Sequence, residues 1–263
     1  MFRPRIIPCL LLKEKALVKT IQFKEPRYIG DPINAVRIFN DKEADELIFL
    51  DIMASRGGGF LGLRRQAPIA FELIAKISRE CMMPLSYGGG ITTTEEIKKL
   101  FTIGVEKVII NTQAIEKPEF IREASEIYGN QSIIVSIDAK KNPLGKYDVC
   151  IRGGTISMGK DPEQFARDME AMGAGELMIN SIDQDGMMTG YDIELIKTIS
   201  DAVSVPVIAC GGAGRIEDLF DAYENGHASA MAVGSMFVFH GRKRAVLINY
   251  PTRSELETAF LKR

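Results

Sequence analysis

Short, almost unbroken apolar runs alternate along this chain with longer segments in which apolar residues return every three or four positions. The runs cover residues 6–12, 47–50, 85–87, 108–110, 133–137, 177–179, 207–210 and 230–233. Runs of that length and continuity predict parallel strands covered on both faces. The segments between them carry helix-start signals. Asp31-Pro32 and Asp161-Pro162 each place an N-cap before a proline at the first helical position. Thr92 with Glu95, and Thr252 with Glu255, have capping-box spacing. Alternating β and α elements predict an α/β fold with right-handed crossovers. Eight such units within 263 residues favour a closed (β/α)8 TIM barrel over a doubly wound sheet.

The pattern is written twice. Residues 5–13 match 132–140, residues 44–51 match 174–181, residues 84–90 match 206–212, and Asn111-Thr112 falls at Gly234-Ser235. The offsets are 127, 130, 122 and 123 residues. The chain therefore reads as one barrel over residues 1–263, made of half-barrels at about 1–128 and 129–263, with no domain boundary between them. The glycine-rich stretch 56–62 reads as a mobile loop after strand 2.

Composition narrows the function classes. Hydrophobic residues make up 46% and charged residues 26%, with a formal charge of −2. These values carry no basic field for nucleic acid or membrane. The basic pairs at Arg64-Arg65 and around Lys243 read as solvated edges. No apolar run is long enough to span a bilayer, and the N-terminus has no signal-peptide pattern. Cys9, Cys81, Cys150 and Cys210 lack any CxxC spacing, so no metal site is expected. Cys9 and Cys210 lie in apolar runs and read as buried thiols. A reducing cytoplasm is the expected compartment, and no cofactor is implied.

In a barrel the chemistry sits where strands end, and phosphate often binds after strands 7 and 8. Gly211-Gly212-Ala213-Gly214 follows strand 7 and Gly234-Ser235 follows strand 8. The repeat supplies a second set, Gly88-Gly89-Gly90 and Asn111-Thr112. Glycine lets backbone N–H groups approach an anion, although the same glycines could simply shape turns. Two cradles on one mouth suit a ligand with a phosphate at each end. Asp138 ends strand 5, Asp51 ends strand 2, and Asp185 lies in a loop able to fold over a ligand. A carboxylate there acts as general acid or base when its pKa is tuned, or else caps a helix or pairs with Lys19 or Lys140. At the opposite strand ends stand Arg5, Glu46, Lys107 and Glu176. Two cations and two anions there predict a salt-bridged ring on the barrel floor.

The motifs Arg5-Ile-Ile-Pro-Cys-Leu, Gly88-Gly-Gly-Ile, Ile137-Asp-Ala-Lys, Asp183-Gln-Asp-Gly and Cys210-Gly-Gly-Ala-Gly, in this order and over nearly the whole chain, resemble the cyclase subunit of imidazole glycerol phosphate synthase. The resemblance implies a barrel that receives ammonia from a glutaminase docked on its floor. The ammonia serves to cleave and cyclise a bis-phosphorylated ribulosyl intermediate of histidine synthesis. It implies one phosphate at Gly90, Asn111 and Thr112, and the other at Gly186, Gly212, Gly234 and Ser235. It also implies a substrate loop with Lys19, Asp51 and Asp185. The floor ring becomes an ammonia gate of Arg5, Glu46, Lys107 and Glu176, and Ser86 lines the passage behind it.

One departure governs the expected activity. The family uses an aspartate at the end of strand 1 and another at the end of strand 5. Asp138 matches the second, and Leu11 occupies the first. The internal repeat independently sets Leu11 opposite Asp138. Leucine cannot accept or donate a proton, and losing one acid–base group costs about 10²–10⁴ in rate. The strand-1 segment, Asp31-Pro-Ile-Asn-Ala and the stretch 244–251 are similar to a divergent branch associated with amidino-bearing surface sugars. There the barrel's partners would be a glutaminase and an ATP-dependent sugar amidotransferase. The alternatives are a working cyclase in which Asp51 replaces the lost carboxylate, a related sugar-phosphate isomerase, and a phosphosugar-binding scaffold without turnover.

Overall fold

The computed structural model describes residues 3–54, 68–241 and 243–261. The glycine-rich stretch 56–62 and the pair Arg64-Arg65 lie outside the described residues. Eight parallel strands close into a barrel: β1 (Arg5–Lys13), β2 (Leu47–Asp51), β3 (Leu85–Gly88), β4 (Lys107–Ile110), β5 (Ile133–Lys141), β6 (Glu176–Ser181), β7 (Val207–Cys210) and β8 (Ala230–Val233). Each pairs with the next, and β8 pairs with β1. Outside run α1 (Pro32–Asp41), α2 (Phe71–Glu80), α3 (Thr94–Thr102), α4 (Glu119–Tyr128), α5 (Pro162–Ala171), α6 (Ile193–Ser200), α7 (Ile216–Glu224) and α8 (Arg253–Leu261). The alternation read from the sequence is thus a (β/α)8 barrel.

The helix starts follow the sequence closely. Asp31 and Asp161 accept from the backbone N–H groups of Asn34 and Gln164 at 3.0 Å each. Thr252 and Glu255 cap each other reciprocally. The expected Thr92–Glu95 box is displaced by one residue. Thr93 is the cap and Glu96 its partner, and the Glu96 carboxylate also takes the Thr92 N–H at 2.8 Å. Thr92 to Glu95 and Thr93 to Glu96 have the same spacing, so the pattern did not separate them.

The repeat reappears in the strand register. Val108 pairs with Ile133, and their counterparts Met231 and Ile6 pair with each other. Leu11 pairs with Leu50, and Asp138 pairs with Asn180. Ser86 with Lys107 recurs as Ile208 with Ala230. Followed around the barrel, the pairings shift the chain by eight residues per circuit, the shear of this fold. Inward side chains then fall into layers drawn from alternate strands. The upper odd-strand layer is Leu11, Gly90, Asp138 and Gly212, and beneath it lies Cys9, Gly88, Ser136 and Cys210. The even strands contribute Leu50, Asn111, Asn180 and Gly234 near the mouth and Glu46, Lys107, Glu176 and Ala230 at the floor. An apolar plug including Ile7, Ile48, Ile134 and Ile208 fills the space between. A larger apolar shell, with Phe39, Phe49 and Phe120, packs the strands against the helices.

The first loop is more than a connection. Strands Ala16–Ile21 and Lys24–Gly30 form an antiparallel hairpin on β1. β5 carries its own antiparallel partner, Tyr147–Ile151.

Candidate functional site

The C-terminal strand ends form a cavity into which the expected mouth residues converge. Gly90, Asn111 and Thr112 line one side, and Gly186, Gly212, Gly234 and Ser235 line the other. Leu11, Lys19, Asp51, Asp138 and Asp185 share the same space.

Backbone crowding dictates the glycines. Gly89 has φ +124°, and a Cβ there would lie 2.6 Å from the Asp51 carbonyl oxygen. Its repeat mate Gly211 would meet the carbonyl of Ser181, the counterpart of Asp51, at 2.8 Å. Gly212 would meet the Gly190 carbonyl at 2.1 Å. Both glycine clusters therefore arise from the same close approach of a loop to the neighbouring strand end. On the first side the Asn111 amide donates to the Ser136 carbonyl at 2.9 Å, which orients the pair Asn111-Thr112.

The carboxylates differ in setting. Asp138 does not end its strand as expected: it is buried within β5, which runs on to Lys141 through its antiparallel partner, and Ser136 Oγ lies 3.5 Å from it. Leu11 occupies the equivalent place on β1, between Val18 of the hairpin and Leu50 of β2. Burial pushes the Asp51 carboxyl up, although the Met53 N–H donates to it at 2.9 Å. Burial also pushes Asp185 up, against the lowering effect of the Thr20 hydroxyl, which donates at 2.8 Å, and of nearby Lys19. The Phe23 N–H donates to the same Asp185 oxygen, and the Gln22 N–H donates to the Asp185 carbonyl. These bonds dock the hairpin on the β6–α6 loop and carry Lys19 into the mouth. Lys19 is 6% exposed, and its ammonium donates to the Cys9 carbonyl at 2.6 Å.

Three mouth residues were not singled out for chemistry by the sequence reading. Cys9 and Cys210 face the cavity as well as being buried. Asn180 lines it too, and its Oδ1 has no hydrogen-bond partner among the described residues. The repeat held a signal for Asn180, since it stands opposite Leu50 and next in register to Asp138.

At the floor, three ion pairs string four charges together. Arg5 bonds Glu46 at 2.7 Å and also Glu176, and Lys107 bonds Glu176 at 2.9 Å. The sequence predicted a ring. What forms is a chain, Glu46–Arg5–Glu176–Lys107, because the fourth place in the floor layer is Ala230 and Arg5 reaches up from the layer below. Burial and both glutamates act on Arg5, whose guanidinium is held above its ordinary value. Ser86 lies behind, 2% exposed. Among the described residues no helix is long and apolar enough to cross a membrane, and no cluster of three or more metal-ligating side chains occurs.

Comparisons with known proteins agree with this architecture. Residues 5–243 match the family described as "Histidine biosynthesis protein". The chain is 52% identical over 257 residues to "Putative imidazole glycerol phosphate synthase subunit hisF2" of Pseudomonas aeruginosa, covering 98% of this chain and 99% of that one. It is 48% identical over 261 residues to "Putative imidazole glycerol phosphate synthase subunit HisF" of Leptospira interrogans, covering 99% and 100%. It is 38% identical over 240 residues to "Imidazole glycerol phosphate synthase subunit HisF" of Alkaliphilus metalliredigens, covering 91% and 92%. With its barrel, its duplicated mouth and these relatives, the chain belongs to the histidine biosynthesis protein family, within the HisF-like branch of imidazole glycerol phosphate synthase subunits.

Proposed function

We propose that this barrel is the synthase-side subunit of a glutamine-dependent amidotransferase. In this reading it takes ammonia from a glutaminase subunit at the floor, past Arg5, Glu46, Lys107 and Glu176, and along Ser86. The ammonia leaves at the mouth, where a separate ATP-dependent enzyme uses it to amidinate a surface-polysaccharide sugar. The single observation that carries the reading is Leu11, which stands at the repeat mate of Asp138 between Val18 and Leu50. A barrel with one aspartate and an intact charged floor is suited to delivering ammonia rather than to cyclisation. The relatives named as synthase subunits support a glutaminase partner. The cradles at Gly90, Asn111 and Thr112 and at Gly186, Gly212, Gly234 and Ser235 would hold a ligand phosphorylated at both ends.

A second reading rests on Asp51. Asp51 is among the residues lining the same cavity, and burial raises its carboxyl, the direction that suits a proton-transfer group. It would restore the cyclase activity of histidine synthesis.

One assay separates the two. The purified chain is given the bis-phosphorylated ribulosyl intermediate with ammonium supplied directly, beside Leu11→Asp and Asp51→Asn variants. The delivery reading expects turnover of the wild type at least 10²-fold below that of Leu11→Asp. Wild-type turnover that is fast and abolished by Asp51→Asn would replace it with the second reading.

A further inference from the structure

Two thiols at the base of the mouth take no part in the function proposed above. Cys9 on β1 and Cys210 on β7 are both free and both buried. The register sets them as neighbours in the same odd-strand layer, with Gly88 and Ser136 as its other two members. Both line the mouth cavity, although Leu11 stands above Cys9 in the upper layer. The even-strand residue above the gap is Gly234, and the residue above Cys210 is Gly212. Lys19 occupies the gap that Gly234 leaves, because a Cβ at Gly234 would come within 2.5 Å of its ammonium nitrogen.

The two thiols influence each other's ionisation. Cys210 and nearby Lys19 lower Cys9, while Cys9 and burial raise Cys210. Both residues line the base of one cavity, with the Lys19 ammonium fixed on the Cys9 carbonyl beside them. A disulfide does not suit this spacing. It requires Cα atoms about 4.4–6.8 Å apart, and strands separated by an intervening strand stand roughly 9 Å apart. An ion between the sulfurs spans a longer gap. Zinc takes four ligands, and no third ligating side chain joins the two among the described residues. Soft thiolate donors alone select a soft cation.

We propose that Cys9 and Cys210 form a two-coordinate site for a soft monovalent cation of the copper(I) class, reached from the mouth. Binding releases the two thiol protons and forms two metal–sulfur bonds. The bis-thiolate complex carries one net negative charge, which the Lys19 ammonium offsets. No change of metal oxidation state is involved.

The test is an anaerobic titration of the full chain with copper(I) against a coloured copper(I) chelator. The expected result is one equivalent held by the wild type, with Cys81→Ser and Cys150→Ser unchanged. Cys9→Ser and Cys210→Ser should each bind at least 10²-fold more weakly, with melting curves confirming that they fold. X-ray absorption of the loaded wild type, which needs no variant, should show two sulfur neighbours and no nitrogen. Copper retained in either the Cys9 or the Cys210 variant, no competition with the chelator, or nitrogen or a third sulfur at the metal overturns the proposal.

Discussion

Two glycines with positive φ show what decides a substitution at the residue scale. Gly145 has φ +78° and a Cβ there would meet nothing within 4 Å. Gly212 has φ +119° and would drive its Cβ to 2.1 Å from the Gly190 carbonyl. Gly145→Ala should cost only the left-handed penalty, about 1 kcal/mol. Gly212→Ala adds a backbone clash that no side chain can relieve and should cost about 3 kcal/mol. Denaturant midpoints of the two variants check this, and equal losses would show that the loop after β7 simply moves aside. The Gly212 variant should also bind inorganic pyrophosphate at least tenfold more weakly if the second cradle holds phosphate. The mouth position of the glycine clusters and of Leu11 was legible in the sequence because a repeat exposes matches and mismatches within a single chain. Asn180 and the cavity-facing side of Cys9 and Cys210 were not. Whether an inward residue meets plug or cavity depends on its height in the barrel, which is set by the shear and not by the apolar pattern.

The element that the sequence concealed is the hairpin on β1. Its outer strand, Lys24–Gly30, is almost wholly exposed, so it lacks the apolar alternation by which strands are read. Its place is held by polar bonds. Asp185 accepts from the Thr20 hydroxyl and the Phe23 N–H, and its carbonyl takes the Gln22 N–H. Asp185→Ala should therefore raise hydrogen exchange at the Phe23 amide at least tenfold, since a bond to a charged group contributes roughly 1.5–3 kcal/mol. Asp185→Asn keeps an acceptor and should preserve the protection. The two variants also separate the charge from the bond. Burial raises the folded-state pKa of Asp185 above its ordinary value. The stability this group contributes is then full below the ordinary aspartate range and is lost as pH rises through the raised value. Melting temperatures from pH 3 upward should show that decline in the wild type and less of it in Asp185→Asn. An identical pH profile would mean that solvent reaches the carboxylate in the folded state.

For the whole molecule, the floor and the repeat make separate demands. Removing Arg5 leaves Glu176 with Lys107 alone and takes from Glu46 its bond to Arg5. Both glutamates are buried, so Arg5→Ala should cost about 2 kcal/mol, below the usual range for fully buried pairs because Arg5 is partly solvated. The repeat concerns assembly. Register pairs recur between the halves at the offsets read from the sequence, which supports, as a proposal, two half-barrels meeting near residue 128. α4 ends at Tyr128, and Gly129 follows with φ +84°, so a break there severs a turn and no strand. Each half alone would expose two strand edges, β1 and β4 in one and β5 and β8 in the other, together with half of the apolar plug. Such edges associate. Fragments 1–128 and 129–263 should therefore aggregate or form homodimers when made separately. Co-expressed, they should restore the β4–β5 and β8–β1 pairings as one complex that melts cooperatively. If co-expressed halves never assemble, the barrel folds only as an uninterrupted chain, and the repeat is a relic of sequence rather than a pair of structural units.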